Sequence, residues 1–319
     1  MRQLAVFAFV TTLCAGLPAK AQSAYPDRPI HVMVGFPAGS GADIGVRALA
    51  ERLQDVSKQK VIVENKPGAG SNIAIGLVTK ARPDGYLVLM AASSAMAGSR
   101  YIYKDFKIDT ETELTPAAML WRATFVLTVS PASPIATVAE LTSLLKSKPR
   151  TLHGFSNQTG QLAAAAYLAN VGAKSNPVSY RAAAEAVGDL NSGTLDFVML
   201  DGAFASGQFR NGRIKPLGVS TTQRSSAMPH IPTMQEAGVT GFEFAPFWAA
   251  YVPKGTPQPI VDMLTGWFRQ VVDHEITRER FKTTGSIPVP GGPEMVRAAL
   301  KTEIVKWAAW VKAAGIEPQ

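Results

Sequence analysis

The chain is 319 residues long, 46% hydrophobic, with a formal net charge of +8; that length is enough for two domains, each with its own core. Its Lys and Arg residues are scattered, with no aromatic-interleaved basic stripe, which argues against a nucleic-acid partner and leaves a general attraction for small anions. The single cysteine, Cys14, falls in an N-terminal leader, so the mature chain has no disulfide, thiol nucleophile or thiolate metal ligand.

That leader, residues 1–21, has a basic start at Arg2, an apolar stretch from Leu4 to Leu17 and a small-x-small end at Ala19-Lys20-Ala21, the form of a cleavable signal peptide. A membrane anchor is the alternative, but about 14 apolar residues fall short of the roughly 20 that span a bilayer. Leu13 is too bulky for a lipoprotein cleavage box before Cys14. The expected location is therefore the periplasm, and losing Arg2 and Lys20 with the leader takes the net charge from +8 to +6.

The first predicted strand, Ile30 to Phe36, runs into the small-residue turn Phe36-Pro37-Ala38-Gly39-Ser40-Gly41-Ala42-Asp43 and then a helix from Ala42 to Ser57. Such a turn presents backbone N–H groups at the positive end of a helix dipole, and it reads either as a carboxylate cradle or as an ordinary tight βα turn. Further strands follow at Val61 to Glu64, Leu87 to Ala91, Phe125 to Val129, Leu152 to Ser156, Asn176 to Val178, Phe197 to Leu200, Pro216 to Val219 and Trp248 to Val252. Helical periods lie between them at Asn72 to Lys80, Val138 to Lys148, Gln161 to Val171, Ala182 to Ser192 and Phe204 to Asn211, and the last part, Pro257 to Thr284 and Pro293 to Ala314, is mostly helical.

This alternation predicts an α/β fold of mostly parallel sheets flanked by helices. Residues 22–123 and 244–319 are expected to form one discontinuous lobe and residues 124–243 a second, with two chain crossings as a hinge. Ligands of open α/β sheets bind beyond the carboxyl ends of the strands. Here those loops contain Pro37 to Gly41, Ser93 and Ser94, Ser156 to Gly160, and Asp201, all small and polar.

The segments Tyr25-Pro26-Asp27-Arg28-Pro29-Ile30, Gly35-Phe36-Pro37-Ala38-Gly39, Val63-Glu64-Asn65-Lys66-Pro67-Gly68-Ala69-Gly70-Ser71-Asn72-Ile73, Pro83-Asp84-Gly85-Tyr86, Tyr180-Arg181-Ala182, Gly193-Thr194-Leu195-Asp196, Leu217-Gly218-Val219-Ser220-Thr221 and Pro229-His230-Ile231-Pro232-Thr233-Met234-Gln235-Glu236-Ala237-Gly238 resemble the Bug (TctC-like) family. Pro253-Lys254-Gly255-Thr256-Pro257 and Ala313-Ala314-Gly315-Ile316 extend the resemblance over nearly the whole mature chain. It implies a two-lobed, type II-like periplasmic binding protein that closes around a small carboxylate. It also implies that the turns Phe36 to Asp43 and Ser156 to Gln161 grip one carboxylate, largely through backbone amides and ordered waters. The chain departs from the family's Pro-Pro-Gly-Gly-Ser-Thr-Asp at Ala38, Ser40, Gly41 and Ala42, which shifts a Ser/Thr hydroxyl pair, and from Ala97 to Thr115 on the cleft rim.

The site expected on these grounds comprises Phe36, Pro37, Ala38, Gly39, Ser40, Gly41, Asp43, Ser93, Ser94, Ser156, Asn157, Gln158, Thr159, Gly160, Gln161, Tyr180 and Asp201. Asp43 reads as a helix cap before it reads as a ligand contact. Asp201 either meets the ligand or anchors its loop, and Ser93 and Ser94 either donate to the ligand or form a polar turn. Gly68, Gly70 and Asn72 read as a helix start rather than a second anion nest. Arg181 reads as a surface residue before a carboxylate partner, and Phe247 and Trp248 as core or hinge packing. The four histidines are isolated, and neither a Gly-x-Ser-x-Gly elbow nor a phosphate-binding loop follows a strand, so neither an enzyme nor a metal or cofactor is expected. The expected partners of this monomer are a mono- or dicarboxylate, an amino or aromatic acid among them, and either the permease subunits of a tripartite tricarboxylate-type transporter or a membrane sensor kinase.

Overall fold

The computed structural model describes residues 25–313 and 317–318; the leader and the closing Gly315-Ile316 lie outside the described residues. Strand β1 (Ile30–Val34) is buried except at His31. Helix α1 (Gly41–Ser57) is capped by Ser40, whose Oγ accepts from the Asp43 amide, and ends at Lys58 in the left-handed region, φ 57°. Its apolar stripe, Val46, Leu49, Ala50 and Leu53, recurs at helical spacing and is buried. Next come β2 (Val61–Asn65), α2 (Asn72–Thr79), β3 (Leu87–Ala92), a π-type turn at Ser94–Gly98, α3 (Ser99–Ile102) and β4 (Leu114–Arg122).

The middle of the chain supplies β5 (Phe125–Val129), α4 (Val138–Ser147), β6 (Leu152–Phe155), α5 (Gln158–Val171), β7 (Asn176–Ser179), α6 (Ala183–Asn191), β8 (Phe197–Asp201), α7 (Gly202–Arg210) and β9 (Lys215–Val219). The chain closes with β10 (Phe247–Pro253), α8 (Gln258–Asp273), α9 (Glu275–Thr284), β11 (Ile287–Gly291) and α10 (Pro293–Ala313).

Two sheets result, one of six strands in the order β11-β4-β10-β3-β1-β2 and one of five in the order β7-β6-β8-β5-β9. Both are mixed rather than mostly parallel. β1 has parallel neighbours on both sides, Ile30 facing Val61 and His31 facing Leu87, whereas β10 runs antiparallel between β3 and β4. In the second sheet β6 is parallel to both its neighbours and β5 antiparallel to both of its own. The pattern concealed this because all seven β10 residues are buried, and a strand buried on both faces reads as the same apolar run in either direction. β11 was also hidden, since Pro288 and Pro290 weaken a strand pattern; they are tolerated because β11 is an edge.

The connections between the sheets are stitched at Ser220. Its fully buried hydroxyl donates to the Phe244 carbonyl at 2.6 Å and accepts from the Phe125 amide at 2.8 Å, tying the outgoing chain to the returning one. Helix α10 packs on β4 of the first sheet and on α5 beside the second. Trp248 stacks on Trp121, centroids 4.8 Å apart and planes 6° off parallel, and meets Phe36 at 5.2 Å, so this aromatic group is core that backs the first turn.

Ser220→Ala strands a buried N–H and a buried carbonyl. It should lower unfolding stability by about 1–3 kcal/mol, read as a reduced urea midpoint at unchanged slope.

Candidate functional site

The turn after β1 is held by one carboxylate. Asp43, 3% exposed, accepts on Oδ2 from the Gly39 amide and Arg47 Nε, both at 2.9 Å, and on Oδ1 from Asn65 Nδ2 at 2.9 Å. Asn65 also donates to the Phe36 carbonyl at 3.1 Å and accepts from Arg47 at 2.9 Å, closing the network. Burial alone would raise the Asp43 pKa, but the hydrogen bonds from Arg47, Asn65 and Gly39 outweigh it and hold the carboxyl below its ordinary value. Gly39 sits at φ 77°, which a side chain would strain. Its amide is therefore committed to Asp43. Ser40 donates its N–H and hydroxyl to the Pro37 carbonyl, which leaves the Gly41 and Ala42 amides, the first of α1, without an acceptor among the described residues.

The second turn repeats this logic. Asn157 caps α5, its Oδ1 accepting from the Gly160 amide at 2.9 Å and its carbonyl from Gln161 at 3.1 Å. The Gln158 and Thr159 amides have no acceptor among the described residues. Two helix starts, one beside each sheet, thus leave donors without an acceptor among the described residues, and the turns that lead into them adjoin.

Two cavities meet there and share the wall Pro37, Phe155, Ser156 and Asn157. The first, about 150 Å³, is bounded by Ala38, Gly39, Ser40, Gly41, Gly160 and Asp201 and by an apolar surface of Phe125, Phe155, Val198, Leu200 and Phe204. Arg181 is the one cation among its lining residues. The second, about 350 Å³, reaches Phe36, Ser94, Gln158, Thr159, Gln161 and Tyr103. At each cavity's wall elements of the two sheets touch: at the second the Ser94 and Thr159 hydroxyls are 2.7 Å apart, and at the first a Cβ on Gly41 would fall 1.9 Å from Asp201 Oδ1.

Asp201 caps α7, accepting on Oδ1 from the Ala203 amide at 2.9 Å. Burial pushes its carboxyl up to about 6, against a smaller downward pull from the Ala203 and Phe204 amides. Ser93 points elsewhere, its hydroxyl donating to Glu303 Oε2 at 3.1 Å beside buried Trp307. Tyr180 lines neither cavity; its hydroxyl donates to Asp189 at 2.7 Å. The stretch around Gly68 and Gly70 is a helix start in which the Ser71 hydroxyl donates to the Gly35 carbonyl at 3.1 Å. Sequence reasoning overlooked Tyr103, Phe125, Phe155 and Phe204. Phe155 could have been found as the strand residue preceding Ser156, whereas Tyr103 lies in the atypical segment 97–115 and carried no signal. Among the described residues no cluster of three His, Asp or Glu is placed to hold a metal ion, and no helix is long and apolar enough to cross a membrane.

Residues 46–316 match the family model described as tripartite tricarboxylate transporter family receptor (TctC). The Protein BugT of Bordetella pertussis is 30% identical over 98% of both chains. Among solved structures, R. palustris Rpa4515 with adipate superposes with a TM-score of 0.87 at 29% identity, covering 92% of this chain and all of that one. The periplasmic binding protein BugD gives 0.85 at 28% identity with the same coverage.

A carboxyl whose folded pKa is raised costs stability once ionised, so the contribution of Asp201 to stability should fall as pH rises from about 4 through about 6 and then level. Asp201→Asn keeps the cap and removes the charge. Its unfolding free energy should exceed the parent's by on the order of 1–3 kcal/mol at pH 7.5 and match it near pH 3.5, read from denaturant midpoints at both pH values.

Proposed function

The chain belongs to the tripartite tricarboxylate transporter receptor (TctC) family, periplasmic solute-binding proteins and not enzymes, and on that premise we propose that it captures a small carboxylate between two lobes for a membrane permease. The observation that carries this reading is that α1 and α5, one beside each sheet, begin with amides that have no acceptor among the described residues, with Gly41 of α1 and Gly160 of α5 lining the first cavity and Gln158 and Thr159 of α5 lining the adjoining one. Fixed main-chain donors at helix starts suit an anion, because they hold it without ordering a flexible side chain. The relative solved with adipate supports a carboxylate as the ligand class.

In this reading residues 22–123 with 244–319 form one lobe and residues 124–243 the other. Closing excludes water, which strengthens the amide-to-carboxylate bonds, and creates the surface that the permease recognises. The apolar wall of Phe125, Phe155 and Phe204 takes the hydrocarbon or aromatic body of the ligand, and Asp201 accepts from a ligand hydroxyl or amine. The proposed ligand contacts are the turns Phe36 to Asp43 and Ser156 to Gln161, with Ser94 and Asp201 beside them. Export through the 1–21 leader places the protein where such a ligand is met.

A thermal-shift screen over mono- and dicarboxylates tests the reading. A true ligand should raise Tm in proportion to the logarithm of its concentration above Kd, and a blank screen across carboxylates would remove the proposal. Gly41→Val, whose side chain collides with Asp201 across the cleft, should hold the lobes apart. It should weaken binding of any ligand found by at least about tenfold with the apo melting temperature nearly unchanged, measured by calorimetric titration. Co-purification with the permease, rather than with a sensor kinase alone, checks the partner.

A further inference from the structure

Asp201 is the one acid among the residues lining the first cavity, and it keeps part of its surface exposed there. Its Oδ1 accepts from the Ala203 amide, whereas Oδ2 takes no hydrogen bond from another described residue and is not sealed off. Arg181, the one cation on the same wall, is exposed. No charged side chain figures among the influences on the Asp201 carboxyl, which are burial and the Ala203 and Phe204 amides. At pH 7.5 this group is ionised, so a charge largely withdrawn from water faces the cavity without a counter-charge. Proteins normally relieve such a charge by pairing it.

A second negative charge is due at the same place. A Cβ on Gly41 would fall 1.9 Å from Asp201 Oδ1 and 2.5 Å from its Cγ, so the carboxyl lies against the backbone of the residue whose amide is the first free donor of α1. A ligand carboxylate seated on the Gly41 and Ala42 amides therefore comes to rest beside Asp201. Two carboxylates this close repel each other unless the ligand itself puts a cation between them. An α-amino acid does this, because its ammonium stands one carbon from its carboxylate and brings three donors to an acceptor-only group. A hydroxyl on that carbon brings one donor and no charge. The rest of the wall, with Phe125, Phe155, Val198, Leu200 and Phe204, is apolar around about 150 Å³, on the order of the space that takes a benzene ring.

We propose that the ligand is an apolar α-amino acid held as its zwitterion, with its carboxylate on the α1 start and its ammonium on Asp201, which selects it over the 2-hydroxy and unsubstituted acids of the same skeleton. This rests on the carboxylate-receptor reading above and narrows it to one substrate class. The aliphatic or phenyl side chain lies on the apolar wall. An acidic side chain would shed its hydration against aromatic carbon, with only the exposed Arg181 to offset the loss.

The test is calorimetric titration at pH 7.5 with valine, leucine and phenylalanine, with the 2-hydroxy and the unsubstituted acid of each skeleton, and with aspartate and glutamate. At least one of the three apolar amino acids should bind about tenfold more tightly than both its analogues, as a hydrogen bond between charged groups implies. It should also bind more tightly than aspartate and glutamate. In Asp201→Asn its affinity should fall at least about tenfold, while the 2-hydroxy acid binds unchanged or better. A merely structural defect would weaken both alike, so the ratio is the readout. Asp201→Ser also keeps a helix cap and guards against an Asn variant that folds poorly. The inference is overturned if no apolar amino acid exceeds its analogues, if aspartate or glutamate outbinds all three, if both variants keep the parent's ratio, or if no compound of the series binds. The carboxylate reading itself falls only when the broader screen is blank as well.

Discussion

The candidate site depends on the Asp43 carboxylate. A turn of small residues has almost no packing of its own, so beyond the Ser40 bonds to the Pro37 carbonyl something outside Pro37 to Ala42 must fix its path. Asp43 does this by accepting from Gly39 on the turn, Arg47 one helical turn further and Asn65 on β2. Because Asn65 also holds the Phe36 carbonyl, both ends of the turn are tied to one buried charge. The charge is tolerated because three donors surround it. Its effect is to spend the Gly39 amide internally, and with the Ser40 amide bonded to Pro37 the donors left without an acceptor are those of Gly41 and Ala42, the first residues of α1, rather than those in the middle of the turn.

The two units meet through missing side chains. Gly41 leaves room for the Asp201 carboxyl and Gly70 for the Gln158 carboxamide, each within 2 Å of where a Cβ would stand. Glycine at these contacts lets backbone approach polar side chains across the cleft. Polar groups are thereby desolvated at the seam: Asp201 has its pKa raised by burial, and Gln158 keeps two atoms without partners. An interface that leaves polar capacity unfilled differs from a packed core, where such groups are paired. At Asp201 it is the pattern expected where a ligand completes the set, whereas the Gln158 carboxamide is packed against Gly70 and Gly98.

The cavities divide the physical tasks. One has an aromatic and aliphatic wall with Asp201 and Arg181 at its edge, and the other is lined by neutral polar groups and glycines. The start of α1 at the first cavity and of α5 at the second supply a positive potential that needs no flexible cation. Behind the first turn, the stacked Trp121 and Trp248 pair and Phe36 give it a rigid backing. Ser220 holds the outgoing and returning chains together, and a hydrophobic cluster that includes residues of both sheets, with α10 packed on both β4 and α5, joins the units elsewhere.

Most individual elements were legible because their signals are local. Helical periodicity located α1 and the body of α5, and the small loops beyond strand ends marked Gly39 to Gly41, Ser156 to Gly160 and Asp201 as cleft candidates; the capping residues Ser40 and Asn157 are seen only in the structure. Strand direction was not legible, since β10 is buried on both faces and its apolar run says nothing about which way it crosses β3 and β4. Nor were β4, which begins in an atypical segment, and β11, with prolines that only an edge accepts. The sequence by itself determined where small-residue turns join strands to helices and so where backbone donors could be left over, because glycines and helical periodicity act over a few residues. Only the tertiary structure decided what those donors face. The pairing of Gly41 with Asp201, the turning of Ser93 toward Glu303 and of Tyr180 toward Asp189, and the meeting of Tyr103 with Gln158 join residues far apart in the chain, and such contacts are set by how two sheets pack rather than by any local pattern.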